Sequence, residues 1–339
     1  MKLSTPRWWY TRDISARRGG MPVSRMLLTP VSWIWAAVTA RRIARTVPVD
    51  PGVPVICVGN LTVGGAGKTP VVRALAERLA ARGVDVHLLS RGYGGRLEGP
   101  VRVDPAAHTS ADVGDEPLML ARDYPVWVAR DRAAGARAAA NAGAQAIVMD
   151  DGHQNPSVKK ALSLVVVDGE TRGDEWPFGD GRVFPAGPMR EPLAAGLARA
   201  DAVVILLPDD LAAADPELSA LLKGPDPVTA HLRATAAPPK GPQVGFAGIG
   251  KPWKVERALK AAGCDLADFA PFPDHAAYDE ATLRRLADRA AVFGAGLITT
   301  EKDWARLPPD WRARVNAWTV ATVFDDPAAL DALLAKVGL

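Results

Sequence analysis

Apolar positions along this chain follow two alternating rhythms, and their alternation predicts the fold. Residues 55–58, 84–89, 125–129, 146–149, 162–167 and 202–207 are short, largely apolar runs that read as buried strands. Between them, Val71, Val72, Leu75 and Leu79 recur at helical spacing, and residues 131–141 form an alanine-rich helix. Strands alternating with helices predict an α/β fold with a mostly parallel sheet flanked by helices. Around residues 236–242 the composition shifts to Pro and Gly, which marks a linker. Beyond it the rhythm restarts: strands at 244–247, 268–272, 297–300 and 318–323, helices at 255–262, 281–293 and 327–337. Three segments are expected: a basic, Trp-rich helical stretch over 1–45, a larger α/β domain over 46–235 and a smaller one over 236–339.

The first strand runs into Gly59-Asn60-Leu61-Thr62-Val63-Gly64-Gly65-Ala66-Gly67-Lys68-Thr69-Pro70 and then a helix. Strand, glycine-rich turn, Lys-Thr and helix is the layout of a phosphate-binding loop, as in P-loop nucleotide hydrolases and kinases. Glycines let backbone N–H groups converge on phosphate oxygens, and the helix N-terminus adds partial positive charge. Thr62, Val63, Gly64, Gly65, Ala66 and Gly67 are therefore candidates for ATP contact. Lys68 can reach the β- and γ-phosphates, and the Thr69 hydroxyl can ligate Mg²⁺. One departure stands out: the usual spacing places glycine at position 62, where this chain has Thr62.

Four apolar residues ending in Asp150-Asp151 match the strand whose terminal acid holds Mg²⁺ in phosphate-loop enzymes. His153 follows, either lining the site or simply solvated. Asp115-Glu116, before a Pro-started helix, read either as helix-capping acids or as a base and a metal ligand. Arg91, in Ser90-Arg91-Gly92-Tyr93-Gly94-Gly95, reads as a phosphate contact or a surface arginine. Residues 169–192 lack apolar periodicity, and a loop that long is usually functional; its Arg190 offers a bidentate grip on phosphate. Gly248-Ile249-Gly250-Lys251-Pro252 imitates a phosphate loop, but Pro252 stands where a hydroxyl must meet the metal, so it reads as a turn. Phe272-Pro273-Asp274-His275 places a histidine at a strand end.

Charge is uneven. Residues 1–45 carry a net +8 and the remainder −5. That N-terminal segment also holds Trp8, Trp9, Trp33 and Trp35, and residues 26–40 carry no charge. Fifteen helical residues span about 22 Å, short of the roughly 30 Å hydrocarbon core. A helix lying in an anionic membrane surface fits, as does a helix packed on the protein's own core with solvated arginines. Two cysteines far apart in sequence, Cys57 and Cys264, imply neither a disulfide framework nor a zinc site, and fit a reduced compartment.

Taken together, the phosphate-loop string, Ser90-Arg91-Gly92-Tyr93-Gly94, Gly114-Asp115-Glu116-Pro117, Asp150-Asp151-Gly152-His153-Gln154, Pro185-Ala186-Gly187-Pro188-Met189-Arg190-Glu191-Pro192, Phe246-Ala247-Gly248-Ile249-Gly250, Phe272-Pro273-Asp274-His275 and Thr300-Glu301-Lys302-Asp303 resemble the tetraacyldisaccharide 4′-kinases of lipid A biosynthesis. The family writes its loop with threonine at the position of Thr62. It more often carries a second histidine after the first, where this chain has Ala276. The resemblance implies transfer of the ATP γ-phosphate to the 4′-hydroxyl of an acylated glucosamine disaccharide 1-phosphate, with Mg²⁺. It implies a monotopic enzyme on the cytoplasmic face of the bacterial inner membrane. It also implies that Asp115 and His275 pair to activate the hydroxyl, with Glu116 and Asp150 or Asp151 on the metal side, and that the two domains close around the substrate. A monomer that binds no nucleic acid is expected. The competing readings are a nucleotide switch or metal-insertion GTPase, which needs no lipid acceptor, and a membrane-binding module without enzymatic activity.

Overall fold

The computed structural model describes residues 7–11, 23–222, 224 and 226–339. In chain order its strands are β1 (Val55–Gly59), β2 (Val86–Ser90), β3 (Val101–Arg102), β4 (Val126–Val128), β5 (Ala146–Asp150), β6 (Leu162–Asp168), β7 (Ala202–Pro208), β8 (Asp226–Ala234), β9 (Gln243–Ala247), β10 (Leu266–Pro271), β11 (Gly296–Thr300), β12 (Val315–Trp318) and β13 (Val320–Phe324). The helices are α1 (Val23–Arg45), α2 (Lys68–Ala81), α3 (Ser110–Val113), α4 (Asp115–Leu120), α5 (Arg132–Asn141), α6 (Leu193–Leu197), α7 (Pro216–Leu221), α8 (Pro252–Ala261), α9 (Glu280–Val292), α10 (Glu301–Arg306), α11 (Pro309–Arg312) and α12 (Pro327–Ala335).

Nine strands form one sheet in the order β13-β8-β7-β6-β1-β5-β2-β4-β3. Its central strands are parallel: β1 pairs with both β5 and β6, and β2 with β5 and β4. Every residue of β1, β2 and β5 is buried, as expected for a parallel sheet covered on both faces. Below it, Val55, Cys57, Leu89, Ile147 and Met149 pack against the small face of α5, whose alanines allow close approach. A second, four-stranded sheet has the order β10-β9-β11-β12, again parallel. Its core gathers Phe246, Tyr278, Leu283, Leu286 and Trp311, with Phe246, Phe272 and Tyr278 meeting edge to face.

The chain groups into two compact units. One runs through Leu207 and adds Leu211–His231 and Thr322–Leu339; the other is Leu232–Ala321 with Pro208–Asp210. In the larger unit Arg78 and Arg82 of α2 both bond to Asp331 of α12, which fastens the closing helix there.

Helix α1 is longer than the uncharged run that predicts it, yet among the described residues no helix is long and apolar enough to cross a membrane. It is built inside out. Arg25, Ser32 and Thr39, seven residues apart and so on one face, are buried, whereas Met26, Leu27, Trp33, Ile34 and Val38 are exposed. Arg25 pairs with Asp180 and donates Nε–H to the Ala186 carbonyl at 3.2 Å; Ser32 Oγ accepts from the Ala186 N–H at 3.1 Å. The Trp35 indole donates to the Arg190 carbonyl at 3.2 Å. Polar groups thus fasten the inner face to residues 180–190. The basic N-terminal residues before Val23, other than Arg7, lie outside the described residues, as does Trp8's side chain.

Candidate active site

Because β1 and β5 are neighbours in register, with Val58 beside Asp150, the turn after β1 lies next to the acids that end β5. This is where ligands gather in open parallel sheets. Residues 60–67 form that turn. Gly67, at the N-cap of α2, has φ 78°, and Gly64 has φ 100°, both in the left-handed region that glycine alone enters cheaply. Lys68 and Thr69 open α2, so their side chains leave the first turn, where unpaired backbone N–H groups also point.

The loop is held from outside. Its Val63 N–H donates to the Pro188 carbonyl at 2.7 Å, and Arg190 N–H to the Leu61 carbonyl at 2.8 Å. The Tyr10 hydroxyl donates to the Val63 carbonyl and fills the space where a side chain at Gly64 would project. Gln154 Nε2 donates to the Asn60 carbonyl at 2.8 Å. Arg190 does more than grip phosphate by expectation: its Nε donates to the Thr62 carbonyl at 3.0 Å and its Nη1 to Asp151 Oδ1 at 2.6 Å.

The two aspartates sit in different electrostatic worlds. Asp151, with φ 52°, lies 3.5 Å from Lys68 Nζ and bonds to Arg190. Burial would raise its pKa, but Lys68 and Arg190 together hold it well below the usual carboxylate range. Asp150 is buried, and its Oδ1 has no hydrogen-bond partner. Burial first, then the charge of Glu116, pushes its pKa up to about 7. Glu116 therefore stands electrostatically with Asp150. Beneath, the buried Arg132 donates to the Asp150 carbonyl at 3.1 Å, its own pKa pulled down to about 10 chiefly by desolvation.

Asp115 and Glu116 occupy the first turn of α4, after Gly114 with φ 91°. No side chain caps that helix. Their approach is fixed by glycines: a Cβ on Gly95 would meet the Asp112 carbonyl at 2.6 Å, and one on Gly114 the Tyr93 carbonyl at 2.6 Å. The Ser90–Gly95 string and the Gly114–Pro117 string are thus stacked backbone on backbone. Asp112 clamps the stack, accepting from Thr109 and from Arg96 Nε at 2.7 Å. Arg91 is exposed, and its charge is felt at Arg132.

His153 neither lines an open site nor is solvated. It is buried, with Nε2 donating to the Gly196 carbonyl at 2.9 Å and Nδ1 accepting from Ser163 Oγ at 3.0 Å. Desolvation pulls its pKa down to about 4. A Cβ on Gly59 would strike the His153 Cβ at 2.4 Å, so the glycine lets this histidine seat beneath the loop. His275 belongs to the smaller unit, with φ 56° and its N–H donating to the Gly248 carbonyl at 3.1 Å. Sequence reasoning missed Tyr10 and Arg132, whose only signal is proximity in the fold, and gave Gln154 no role although it ends the Asp150–Gln154 string.

A glycine loop into Lys-Thr, next to a strand ending in two acids, defines a phosphate-loop protein that handles nucleoside triphosphates. The family model for tetraacyldisaccharide-1-P 4′-kinase matches residues 24–338. Similar proteins include a tetraacyldisaccharide 4′-kinase of Phenylobacterium zucineum, 73% identical over 98% of this chain and 99% of its own. Another, of Caulobacter vibrioides, is 68% identical over the whole of both chains. Among solved structures, the "apo" form of LpxK from Aquifex aeolicus in complex with ATP matches with a TM-score of 0.73 at 25% identity, over 93% of this chain and 99% of that one. The chain belongs to the tetraacyldisaccharide 4′-kinase family. The GTPase reading is not favoured: Thr300-Glu301-Lys302-Asp303 has Glu301 before its lysine, where an Asn/Thr-Lys-x-Asp guanine-reading motif has Asn or Thr, and its Asp303 is fully buried and spent on internal bonds.

Proposed function

We propose that this protein transfers the γ-phosphate of ATP to the 4′-hydroxyl of a tetraacylated glucosamine disaccharide 1-phosphate, giving the 1,4′-bisphosphorylated lipid. The observation that carries the reading is the pairing of a braced glycine loop and Lys68-Thr69 with a buried, incompletely bonded Asp150, in a chain of this family. Lys68 and the loop amides hold the β- and γ-phosphates. On triphosphate entry Lys68 exchanges Asp151 for phosphate oxygens, while Arg190 keeps Asp151 compensated. Asp115 accepts the proton of the attacking hydroxyl, and His275 is its partner in that step. Such a hydroxyl is far from ionised at neutral pH, so a positioned acceptor matters most as the oxygen begins to bond phosphorus.

Mg²⁺ fits the residues present. Thr69, Glu116 and Asp150 offer hard oxygen donors, and Asp150 Oδ1 is buried without a hydrogen-bond donor. Among the described residues no group of three or more His, Cys, Asp or Glu side chains forms a protein-only cage, and a cation sharing triphosphate oxygens needs none. When bound, it would supply charge neutralisation for the transferring phosphoryl group.

The outward apolar face of α1, with exposed Arg41, Arg42 and Arg45 at its end, supports seating on an anionic membrane surface; membership of this family supports the cytoplasmic face of the inner membrane as that surface. The deciding assay supplies γ-labelled ATP with the disaccharide 1-phosphate lipid. Label on the lipid is expected; ATP or GTP turnover with no labelled lipid sinks the reading. Replacing Trp33 and Ile34 by serine should release the protein from sedimenting anionic vesicles, and undiminished sedimentation removes the membrane claim.

A further inference from the structure

In the smaller unit three separate strand-end turns converge on one carboxylate. Asp303, in the first turn of α10, is fully buried. Its oxygens accept from the Gly248 N–H at 3.1 Å, the Tyr278 hydroxyl at 2.9 Å, the Thr300 hydroxyl at 2.6 Å and Arg306 Nη1 at 3.0 Å. An ionised carboxylate has about four acceptor sites, so these donors fill it. Arg306 is held in turn. Its Nη1 also donates to the Gly248 carbonyl at 3.1 Å, and its Nη2 reaches His275 Nδ1 at 3.4 Å.

A guanidinium has donors only and stays charged. The nitrogen facing it must therefore present a lone pair, which leaves the neutral ring's proton on Nε2. On that side Asp274 Oδ1 lies 3.7 Å away. The His275 backbone is fixed as well, by the Gly248 carbonyl and by Asp274 Oδ1 at 3.0 Å. We propose that the Asp303–Arg306 pair sets the tautomer of His275, which makes Arg306 and Asp303 positioning residues for phosphoryl transfer. The proposal rests on the reading that His275 helps activate the acceptor alcohol. A carboxylate partner needs an N–H to accept from, and engagement of Nδ1 reserves Nε2–H for that purpose. A ring free to exchange its proton between the two nitrogens would offer a lone pair there in the other tautomer, which repels the carboxylate.

The test is ring-nitrogen NMR of the full-length protein with isotope-labelled histidine, the His275 signal being assigned by its loss in His275→Ala. The native ring is expected in the Nε2–H form. In Arg306→Gln the ring should move to a mixture of tautomers, with kcat lowered about tenfold, the usual scale for an outer partner of a functional histidine, and KM for ATP unchanged. In a His275→Ala background Arg306→Gln should cost nothing further. An unaltered His275 tautomer in Arg306→Gln overturns the proposal, and so does an equal loss of kcat in both backgrounds. Asp303→Asn should give the same spectral change. If it does not fold, Arg306→Gln and Arg306→Lys, the latter keeping charge but not the planar fork, carry the test. Full turnover in His275→Ala defeats the underlying reading instead, and is told apart because the tautomer shift in Arg306→Gln survives it.

Discussion

The chain contains two strand–glycine–lysine–helix turns, and only one is built to receive an anion. After β1, eight residues separate the strand from Lys68, Gly67 adopts a left-handed conformation, and the lysine tip stands by an aspartate that a triphosphate can displace. After β9, four residues separate the strand from α8, Lys251 is itself the N-cap, and Pro252 replaces the hydroxyl. More tellingly, the first amide of that turn, at Gly248, already donates to the buried Asp303 carboxylate. A Cβ on Gly248 would meet Tyr278, Ala276 and Pro273, so the turn is packed closely on that side. The protein's own carboxylate stands where a ligand's oxygen would. Glycines and a lysine between strand and helix therefore mark a place where backbone amides gather; whether the anion is internal or external depends on the length of the turn and on which acid the fold delivers.

The largest expected effect tests the first half of that contrast. Lys68→Ala should lower turnover about a thousandfold, the scale of a lost transition-state charge contact, with thermal stability within a degree or two of the parent. Retained turnover in the purified variant would remove the phosphate role of the first turn. Asp115→Ala should lower turnover at least about a hundredfold while ATP affinity, read by calorimetry, holds. A loss of ATP binding of the same size would instead mean that Asp115 organises the nucleotide side.

A smaller effect concerns the scaffold that presents Asp115. Asp112 is held at a pKa of about 2, first by the Thr109 hydroxyl and backbone N–H, then by Arg96. Its folded value lies below the usual carboxylate value of about 3.9, so its stabilising contribution is complete above about pH 4 and lost as pH falls through about 2. The melting temperature of Asp112→Asn should lie below the parent's at pH 7, and the gap should narrow as the pH falls below about 4 and close only as it falls through about 2. A gap independent of pH would show that packing, not ionisation, does the clamping.

Much of this was legible from residues alone. The central strands and helices follow from periodicity, and the phosphate loop from its glycines and Lys-Thr. What periodicity cannot say is which sheet a strand joins. Residues 318–323 read as one strand, but the structure breaks it at Thr319: β12 pairs with β11 in the small sheet, and β13 forms an edge of the large one. Strand β8 escaped notice although Val228, Ala230, Leu232 and Ala234 alternate with Thr229, His231 and Arg233, the period-2 signal of a half-buried strand. His231 is buried because Asp325 and the Leu211 carbonyl meet both its nitrogens, a compensation invisible in sequence. Arg25 and Ser32 face inward against every hydropathy rule, because Asp180 and Ala186 supply their partners. Asp150 and Asp151 are adjacent letters with opposite electrostatics, decided by Lys68, Arg190 and Glu116, which lie far away in sequence.

The smallest expected effect is the sharpest test of the contrast. Lys251 is buried at the head of α8, and a simple motif reading would give it the task of Lys68. If the second turn's anion is Asp303, Lys251→Ala removes no ligand contact. Turnover and KM for ATP should then stay within about threefold of the parent, in the range of ordinary substitutions away from reacting groups. Any penalty should surface as a lower melting temperature, since a buried long side chain is being deleted. Steady-state kinetics beside a thermal melt separates the two currencies. A hundredfold rise in KM for ATP with the melt unchanged would mean that both turns bind nucleotide, and that an internal carboxylate does not disqualify a glycine turn from that task.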